Sequence, residues 1–203
     1  MAPIRVVIFD LDGVVRHFEP AAATEQRLGL PPGSIEAAAL STALLEGATT
    51  GRITFEEWIE AVGVELERQH GLSARAAAAA WADLPVWVDD DLVALAEQLR
   101  DAGTTTAILT NGTTRVESEC ATLGIPDHFD HLFNSARIGY AKPDRRVFEH
   151  VVGALGVEPH DCAFTDDSAA KLAGAVDLGM ATHHYQGVEP LRAWLRNELG
   201  LTC

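Results

Sequence analysis

The sequence predicts an α/β fold, a doubly wound core with a parallel sheet and an inserted α-helical cap. Residues 4–9 form an almost continuous apolar run without helical spacing, which is typical of a central strand buried on both faces. From residue 89 onward, helical and strand patterns alternate with short turns, as repeated βα units do. Residues 16–88, between these parts, contain several amphipathic helices and no convincing strand.

The predicted core comprises residues 1–15 and 89–203. Its helices are predicted at residues 89–102, 113–123, 143–155, 168–178 and 188–198, and its later strands at residues 105–109, 131–134, 162–165 and 180–183. A glycine, which commonly ends a helix, follows each of the first four helices. Pro143 is interpreted as a first-turn residue of its helix, where proline is favourable.

Residues 16–88 are predicted to form the cap. A capping box of Thr54 and Glu57 opens a helix that ends at Gly71 and carries apolar residues along one face. Further helices are predicted at residues 34–46 and 73–83, the second of which contains an alanine run with high helix propensity. The insertion therefore separates the first strand from the remaining βα units.

Thirty acidic residues against fifteen basic ones give the chain a formal net charge of -15. A field of this sign repels nucleic acids and anionic membrane surfaces, so neither is an expected partner. The same field repels a phosphorylated metabolite. A phosphate site in this chain would therefore need local cations, from a metal ion or from well-placed lysines.

The sequence also favours a soluble, cytoplasmic protein. No apolar run approaches the length that crosses a bilayer, and the opening residues MAPIRVVIFD match neither a secretory signal nor a transit peptide. Cys120, Cys162 and Cys203 are too widely spaced for a disulfide framework or a zinc site. We expect a monomer or homodimer in a reducing compartment.

Polar residues that suit one chemical task follow several predicted strands. Because ligands of an open parallel sheet bind beyond the carboxyl ends of its strands, we expect these side chains to meet in one crevice. They lie in four segments: FDLDGV with Asp10 and Asp12, ILTNG with Thr110 and Asn111, AKPD with Lys142, and FTDDS with Asp166 and Asp167.

These residue types have a common chemical use. Mg²⁺ prefers hard oxygen ligands, which Asp10 and Asp167 supply. The Asp10 carboxylate can also attack phosphorus, which divides one difficult displacement into two easier ones. The metal ion, Lys142 and the Thr110 hydroxyl would neutralise the nonbridging phosphate oxygens. Asp12 can act as general acid toward the leaving group and then as general base for water.

In this order, the four segments resemble the four motifs of the haloacid dehalogenase superfamily, over residues 4–15 and 89–183. The resemblance implies a Rossmann-like core with a small helical cap of the C1 type. It also implies a magnesium-dependent phosphohydrolase that acts on a small phosphate monoester, such as a sugar phosphate or similar metabolite, through an aspartyl phosphate.

The resemblance assigns further roles to single residues. It implies that the Asp12 carbonyl is a metal ligand, and that Asn111 joins Thr110 and Lys142 in holding phosphate. By the same resemblance, Asp166 acts through a metal-bound water or positions Lys142.

Lys171 departs from the pattern, because many relatives carry Asn or Asp four residues after the metal-binding Asp167. An ammonium group cannot ligate magnesium. It can instead pair with Asp166 or Asp167, or help to hold phosphate. A non-catalytic phosphate-binding protein is therefore one alternative function.

A 2-haloacid dehalogenase is the other alternative, since such relatives use the same aspartate against carbon. They typically carry tyrosine where this chain has Asp12, which favours phosphorus. Phosphonate-cleaving relatives use a cap lysine, and residues 16–88 contain none. Taken singly, the segments also have ordinary structural explanations, namely strand-end turns and helix caps.

Overall fold

The computed structural model describes residues 4–197 and 199–201. Within these residues the strands are β1 (Val6–Phe9), β2 (Arg16–Phe18), β3 (Val86–Val88), β4 (Thr105–Thr110), β5 (His131–Asn134), β6 (Cys162–Asp166) and β7 (Ala181–His184). Five of them form a parallel sheet in the order β5–β4–β1–β6–β7. The other two, β2 and β3, pair in an antiparallel ribbon.

The same described residues form α-helices at α1 (Ala22–Leu28), α2 (Ser34–Ala39), α3 (Thr42–Thr49), α4 (Phe55–His70), α5 (Ala76–Ala82), α6 (Asp90–Asp101), α7 (Val116–Thr122), α8 (Ser135–Ile138), α9 (Arg145–Leu155), α10 (Ala173–Leu178) and α11 (Val188–Asn197). None of these helices is both long enough and apolar enough to cross a bilayer.

β1 runs through the middle of the sheet because its side chains are apolar on both faces. Val7 and Phe9 belong to one buried cluster with residues of α6, α7 and α11. Val6 and Ile8 belong to a second cluster with residues of α9 and α10. Successive side chains of a strand alternate between faces, so the two clusters lie on opposite sides of the sheet. This arrangement confirms the predicted doubly wound α/β core.

The predicted core elements are present, but three of the helices differ from their predicted bounds by more than one residue. α7 begins at Val116, three residues later than predicted. The segment predicted as one helix at 168–178 is a 3₁₀ turn at Ala169–Leu172 followed by α10. Residue 198, the predicted end of the last helix, lies outside the described residues, as does Cys203.

The interpretation of Pro143 as a first-turn residue was wrong. Asp144 is the N-cap of α9, and its Oδ1 accepts a hydrogen bond from the Arg146 N–H at 2.9 Å. Pro143 therefore precedes the helix, and its peptide bond with Lys142 is cis. The capping aspartate, one residue after the proline, sets the helix start, since it satisfies one of the first free N–H groups.

The inserted residues pack around a third apolar cluster, which includes Trp58, Val62 and Leu66 of α4. The predicted capping box opens this helix. Thr54 Oγ1 accepts from the Glu57 N–H at 3.1 Å, and the Glu57 carboxylate accepts from the Thr54 N–H at 2.8 Å. The sequence thus located the longest cap helix correctly.

Other predictions for the cap were wrong. The single helix expected at 34–46 is two helices, α2 and α3, because Ser41 adopts an extended backbone with ψ 132° between them. α1 was not predicted. Residues 16–88 also contain β2 and β3, although no strand was expected there. Three-residue strands are too short to show the alternation by which strands are recognised.

The β2–β3 ribbon lies where the chain leaves the first strand and returns to the core. Arg16 pairs with Val88, and the Asp89 N–H donates to the Val15 carbonyl at 2.9 Å. The division that we propose, a core of 1–15 and 89–203 and a cap of 16–88, therefore has its two boundaries side by side.

Candidate active site

The carboxyl ends of β1, β4 and β6 bring the predicted residues to one edge of the sheet. Asp10 follows β1, and its N–H donates to the Thr165 carbonyl at 2.9 Å. Thr110 and Asp166 are the last residues of β4 and β6, and both are buried. Asp167 follows at once. Because β1 lies between β4 and β6, these side chains are neighbours in space although they are distant in the chain.

Lys142 lies at the centre of this group. Its Nζ is 2.7 Å from Asp10 Oδ1 and 2.6 Å from Asp166 Oδ2, and it donates to the Leu109 carbonyl at 2.9 Å. The Lys142 side chain has 0% exposure. One buried ammonium therefore joins the ends of three neighbouring strands.

Asn111 holds the backbone of Lys142. Its Nδ2 donates to the Lys142 carbonyl at 2.8 Å, and its Oδ1 accepts from the Lys142 N–H at 2.7 Å. Both side-chain polar atoms of Asn111 are engaged in this pair of bonds. The structure therefore gives Asn111 a positioning role that the sequence did not indicate.

The two buried carboxylates beside Lys142 have opposite pKa shifts. Burial alone would raise the pKa of Asp10, but the charges of Lys142 and Lys171, with hydrogen bonds from Lys142 and the Leu11 N–H, hold it below its ordinary value. For Asp166, burial and the nearby charge of Asp10 prevail over both lysines and raise the pKa to about 6. Asp10 is thus the carboxylate that stays ionised more readily.

Asp167 completes an acidic cluster. One carboxylate oxygen each from Asp10, Asp166 and Asp167 lie within 4.8 Å of one another, a spacing that can hold a metal ion. Asp166 was not predicted as a metal ligand, whereas its side chain lies inside the cluster. Three hard oxygen donors at this spacing fit the chemistry of Mg²⁺.

Gly13 lets Asp167 approach the first strand's turn. Its φ is +86°, and a Cβ at this position would lie 2.5 Å from Asp167 Oδ2. Any side chain here would strain the backbone and displace the carboxylate. The glycine of the first motif therefore shapes the site directly, besides permitting the turn.

Lys171 lies on the solvent side of the cluster. Its Nζ is 3.4 Å from Asp10 Oδ2, 3.8 Å from Asp166 Oδ1 and 3.9 Å from Asp167 Oδ1. Lys142 and Lys171 are the only two lysines in the sequence. In a strongly acidic chain, both lysines thus pair with Asp10 and Asp166, which meets the need for local cations.

Asp12 is held by Arg16, a buried arginine of the β2–β3 ribbon. Arg16 Nε donates to Asp12 Oδ1 at 2.7 Å, and the Arg16 side chain is only 3% exposed. Part of Asp12 reaches solvent. Burial by the surrounding protein, with a smaller effect from the charge of Asp10, nevertheless raises the pKa of Asp12, although the charge of Arg16 acts to lower it.

A chain of ion pairs continues from Arg16 toward the cap. Arg16 Nη1 lies 2.8 Å from one Glu119 oxygen, and Arg115 Nε lies 2.6 Å from the other. The Arg115 guanidinium stacks 3.5 Å over the Phe55 ring and donates to the Ala82 carbonyl. Sequence reasoning missed Arg115 and Glu119, whose i,i+4 spacing was the available signal.

His17, the middle residue of β2, makes its contacts within and beside the β2–β3 ribbon. Its ring stacks on Trp87 with centroids 5.8 Å apart, and its Nε2 is 3.6 Å from Asp89.

Beside the site, a groove of about 660 Å³ between α3 and the loop before α9 is lined by Leu40, Tyr140 and other residues. That volume suits a small molecule.

The order of these residues along the chain, and their meeting at one sheet edge, define a class of protein, an α/β fold with an aspartate-rich site at the carboxyl ends of its parallel strands. The chain belongs to the haloacid dehalogenase-like hydrolase family, whose model matches residues 4–179. The predicted resemblance is thereby confirmed, together with the helical insertion after the first strand.

Two curated relatives illustrate the range of this family. The chain is 30% identical over 190 residues to Phosphatase MT3486 of Mycobacterium tuberculosis (strain CDC 1551 / Oshkosh), covering 89% of this chain and 86% of that protein. It is also 30% identical over 205 residues to Bifunctional epoxide hydrolase 2 of Mus musculus, covering 88% of this chain. The chain spans only 36% of that longer relative.

Among solved structures, a HAD family enzyme of Bacteroides thetaiotaomicron in complex with magnesium and inorganic phosphate has a similar fold. Its TM-score with this chain is 0.68 at 21% identity, covering 89% of this chain and 93% of that one. At this identity the likeness shows the shared fold.

Proposed function

We propose that the chain is a magnesium-dependent phosphohydrolase that cleaves a small phosphate monoester, such as a sugar phosphate, through an aspartyl phosphate on Asp10. The observation that carries this proposal is the place of Asp10, 2.7 Å from Lys142 Nζ and in one cluster with Asp166 and Asp167. A nucleophilic carboxylate, a cation for phosphate and hard oxygen ligands thus occur at one point.

In the proposed first step, an Asp10 oxygen attacks phosphorus, and the bond from phosphorus to the ester oxygen breaks. Asp12 gives its proton to the departing oxygen, and its raised pKa favours the protonated form that this step needs. In the second step, Asp12 takes a proton from the water that attacks phosphorus. Phosphate leaves and the Asp10 carboxylate is restored.

The phosphate group would be held by three residues. Lys142 and the Thr110 hydroxyl would neutralise charge on its nonbridging oxygens. We assign the contact of Asn111 with phosphate to its backbone N–H, because both polar atoms of its side chain already bind the Lys142 backbone. The Asn111 side chain then serves to position Lys142.

Magnesium fits the donors of the acidic cluster. Asp10 and Asp167 would hold it through carboxylate oxygens, and Asp12 through its backbone carbonyl. Asp166, which is paired with Lys142 at 2.6 Å, would keep that lysine in place. When bound, the metal ion supplies positive charge beside the phosphate oxygens.

Two observations favour phosphate hydrolysis over the alternatives. Asp12 occupies the position where dehalogenases typically carry tyrosine, and its carboxyl group can donate a proton, which supports a phosphate ester as substrate. One relative of similar length, Phosphatase MT3486, is named a phosphatase. A non-catalytic phosphate-binding protein is the remaining alternative, because Lys171 takes the place of an expected oxygen ligand.

Release of inorganic phosphate from an aryl phosphate, with and without magnesium, tests the proposal. We expect turnover that requires magnesium in the wild type and none in Asp10→Asn, which preserves the shape of the side chain and leaves Lys142 paired with Asp166. A circular dichroism spectrum like that of the wild type would show that this variant is folded. A wild type inactive on the aryl phosphate and on a panel of phosphorylated metabolites would indicate a binding protein. Metal-independent halide release from a 2-haloacid would indicate a dehalogenase.

A further inference from the structure

Lys171 reaches all three carboxylates of the acidic cluster with one ammonium group. Its Nζ lies 3.4 to 3.9 Å from oxygens of Asp10, Asp166 and Asp167. These are the same three residues whose oxygens lie close enough together to hold a metal ion. The ammonium and a metal ion would therefore use the same negative charge.

The backbone directs Lys171 toward the cluster. The residue lies in the 3₁₀ turn at Ala169–Leu172, and its N–H donates to the Ser168 carbonyl at 3.0 Å. Leu172, the next residue, is buried in the core and anchors the turn. The fold therefore fixes the backbone of Lys171 at a place from which its side chain reaches the cluster.

The two lysines differ in their freedom to move. Lys142 has 0% side-chain exposure and three partners, whereas the Lys171 side chain is 32% exposed. A lysine has a flexible stem of four carbons and a strongly hydrated head, so Lys171 can turn into solvent without breaking the core. Lys142 cannot leave without exposing two buried carboxylates.

The Lys171 ammonium and a metal ion would compete for the negative charge of the three carboxylates. Three carboxylates and two ammonium groups leave one net negative charge, where the carboxylates with Lys142 alone would leave two. Opposite charges about 4 Å apart attract strongly near a protein surface. A divalent cation must therefore either displace Lys171 or bind beside a like charge.

We propose that Lys171 is an internal counter-cation that competes with the divalent metal ion and weakens its binding, so that metal entry requires the Lys171 side chain to swing out. This inference rests on the proposed function in taking Mg²⁺ as the competing ion. Without metal, the ammonium keeps the three carboxylates together and holds Asp10 Oδ2 in place.

Direct binding of Mn²⁺ tests this competition without reference to turnover. Free Mn²⁺ is counted by its electron paramagnetic resonance signal during titration of the wild type, Lys171→Met, Lys171→Asn and Lys171→Arg. We expect Lys171→Met to lower the Kd at least about tenfold, because it removes the charge and adds no ligand. Lys171→Asn should bind at least as tightly as Lys171→Met, and Lys171→Arg should bind as weakly as the wild type.

The control variant is Arg68→Asn, which makes the same change in net charge on the exposed surface of α4, where Arg68 pairs with Glu65. It should leave the Kd unchanged. A second readout is the melting temperature, which Mg²⁺ should raise more in Lys171→Met than in the wild type, because the metal-free variant lacks its internal cation.

Equal Kd values for the wild type, Lys171→Met and Lys171→Asn would overturn the competition, as would tight binding by Lys171→Arg. Absence of binding in every variant would overturn it as well. Tighter binding by Lys171→Met in a protein that hydrolyses no phosphate ester would support the competition and refute the proposed function, so the two failures are distinguishable.

Discussion

The Lys142 ammonium lies 2.7 Å from Oδ1 of Asp10, with no exposure of the lysine side chain. The same ammonium is 2.6 Å from Asp166 Oδ2, so it compensates two buried carboxylates at once. Removal of one partner of a buried ion pair is far more costly than removal of both, because the remaining charge has no water around it.

Lys142→Met is therefore expected to lower the free energy of unfolding by about 3–5 kcal/mol and to abolish turnover. Urea unfolding and phosphate release measure the two effects. In the double variant with Asp166→Asn, part of the stability should return, since one uncompensated carboxylate is gone, but turnover should not. Full stability of Lys142→Met alone would refute the buried bridge.

Arg16 should act on catalysis through Asp12. In Arg16→Gln, Asp12 loses its 2.7 Å partner while Glu119 keeps its ion pair with Arg115. We expect kcat to fall about tenfold to a hundredfold for alkyl phosphates, which need a proton on the leaving oxygen, and far less for nitrophenyl phosphate. The KM should change little. An equal loss of kcat for both substrates would show that Arg16 does not position the acid.

Gly13→Ala should weaken metal binding in addition to its effect on stability. The matched control is Gly29→Ala, whose glycine also has positive φ, +68°, but has no described atom within 4 Å of the point where a Cβ would lie. Both variants should lose about 1–2 kcal/mol of unfolding free energy from backbone strain. Only Gly13→Ala should also raise the Kd for Mn²⁺, because its Cβ would displace Asp167. Equal Kd values in both variants would contradict this role.

Asp130, which lies outside the candidate active site, should make the stability of the protein depend on pH. Its Oδ2 accepts from the Thr106 N–H at 2.8 Å and its Oδ1 from Arg100 Nε at 3.0 Å. Although burial would raise the pKa of Asp130, these bonds lower it. A carboxylate whose pKa is lowered by folding binds fewer protons in the folded state than in the unfolded state. Its contribution to the free energy of unfolding is therefore fully present above the unfolded pKa of about 3.9. This contribution is lost as the pH falls through the folded pKa.

Asp130→Ala is accordingly expected to cost about 1–2 kcal/mol at neutral pH. The difference from the wild type, measured by urea unfolding across the acid range, should shrink as pH falls below about 4. A difference that is constant with pH would mean that the carboxylate charge does not contribute.

The sequence predicted the residues at the strand ends because their position follows from one rule. In a parallel sheet, residues that end neighbouring strands must be close, so Asp10, Thr110 and Asp166 could be placed together without coordinates. Lys171 was recognised as unusual from its spacing after Asp167. Its pairing with Asp166 or Asp167 was expected, and the structure shows both contacts. Its further contact with Asp10 was not predicted, because it depends on a 3₁₀ turn where the pattern indicated a continuous helix.

Contacts between residues that are far apart in the chain could not be predicted from the sequence pattern. Arg16 and Glu119 are separated by 103 positions in the chain, and only the folded ribbon brings them together. The side-chain bonds of Asn111 to the Lys142 backbone are of the same kind. Short elements such as β2, with three residues, carry too few side chains to reveal a period.

Chemical trapping of the phosphorylated enzyme tests the central claim, that Asp10 carries the phosphoryl group. Asp12→Asn should slow hydrolysis of the acyl phosphate while an aryl phosphate still phosphorylates the enzyme, so the intermediate accumulates. After an acid quench, borohydride reduces an aspartyl phosphate to homoserine, which peptide mass spectrometry locates. We predict homoserine at position 10, dependent on substrate and magnesium. Reduction at another residue, or undiminished turnover by Asp10→Asn, would contradict the claim.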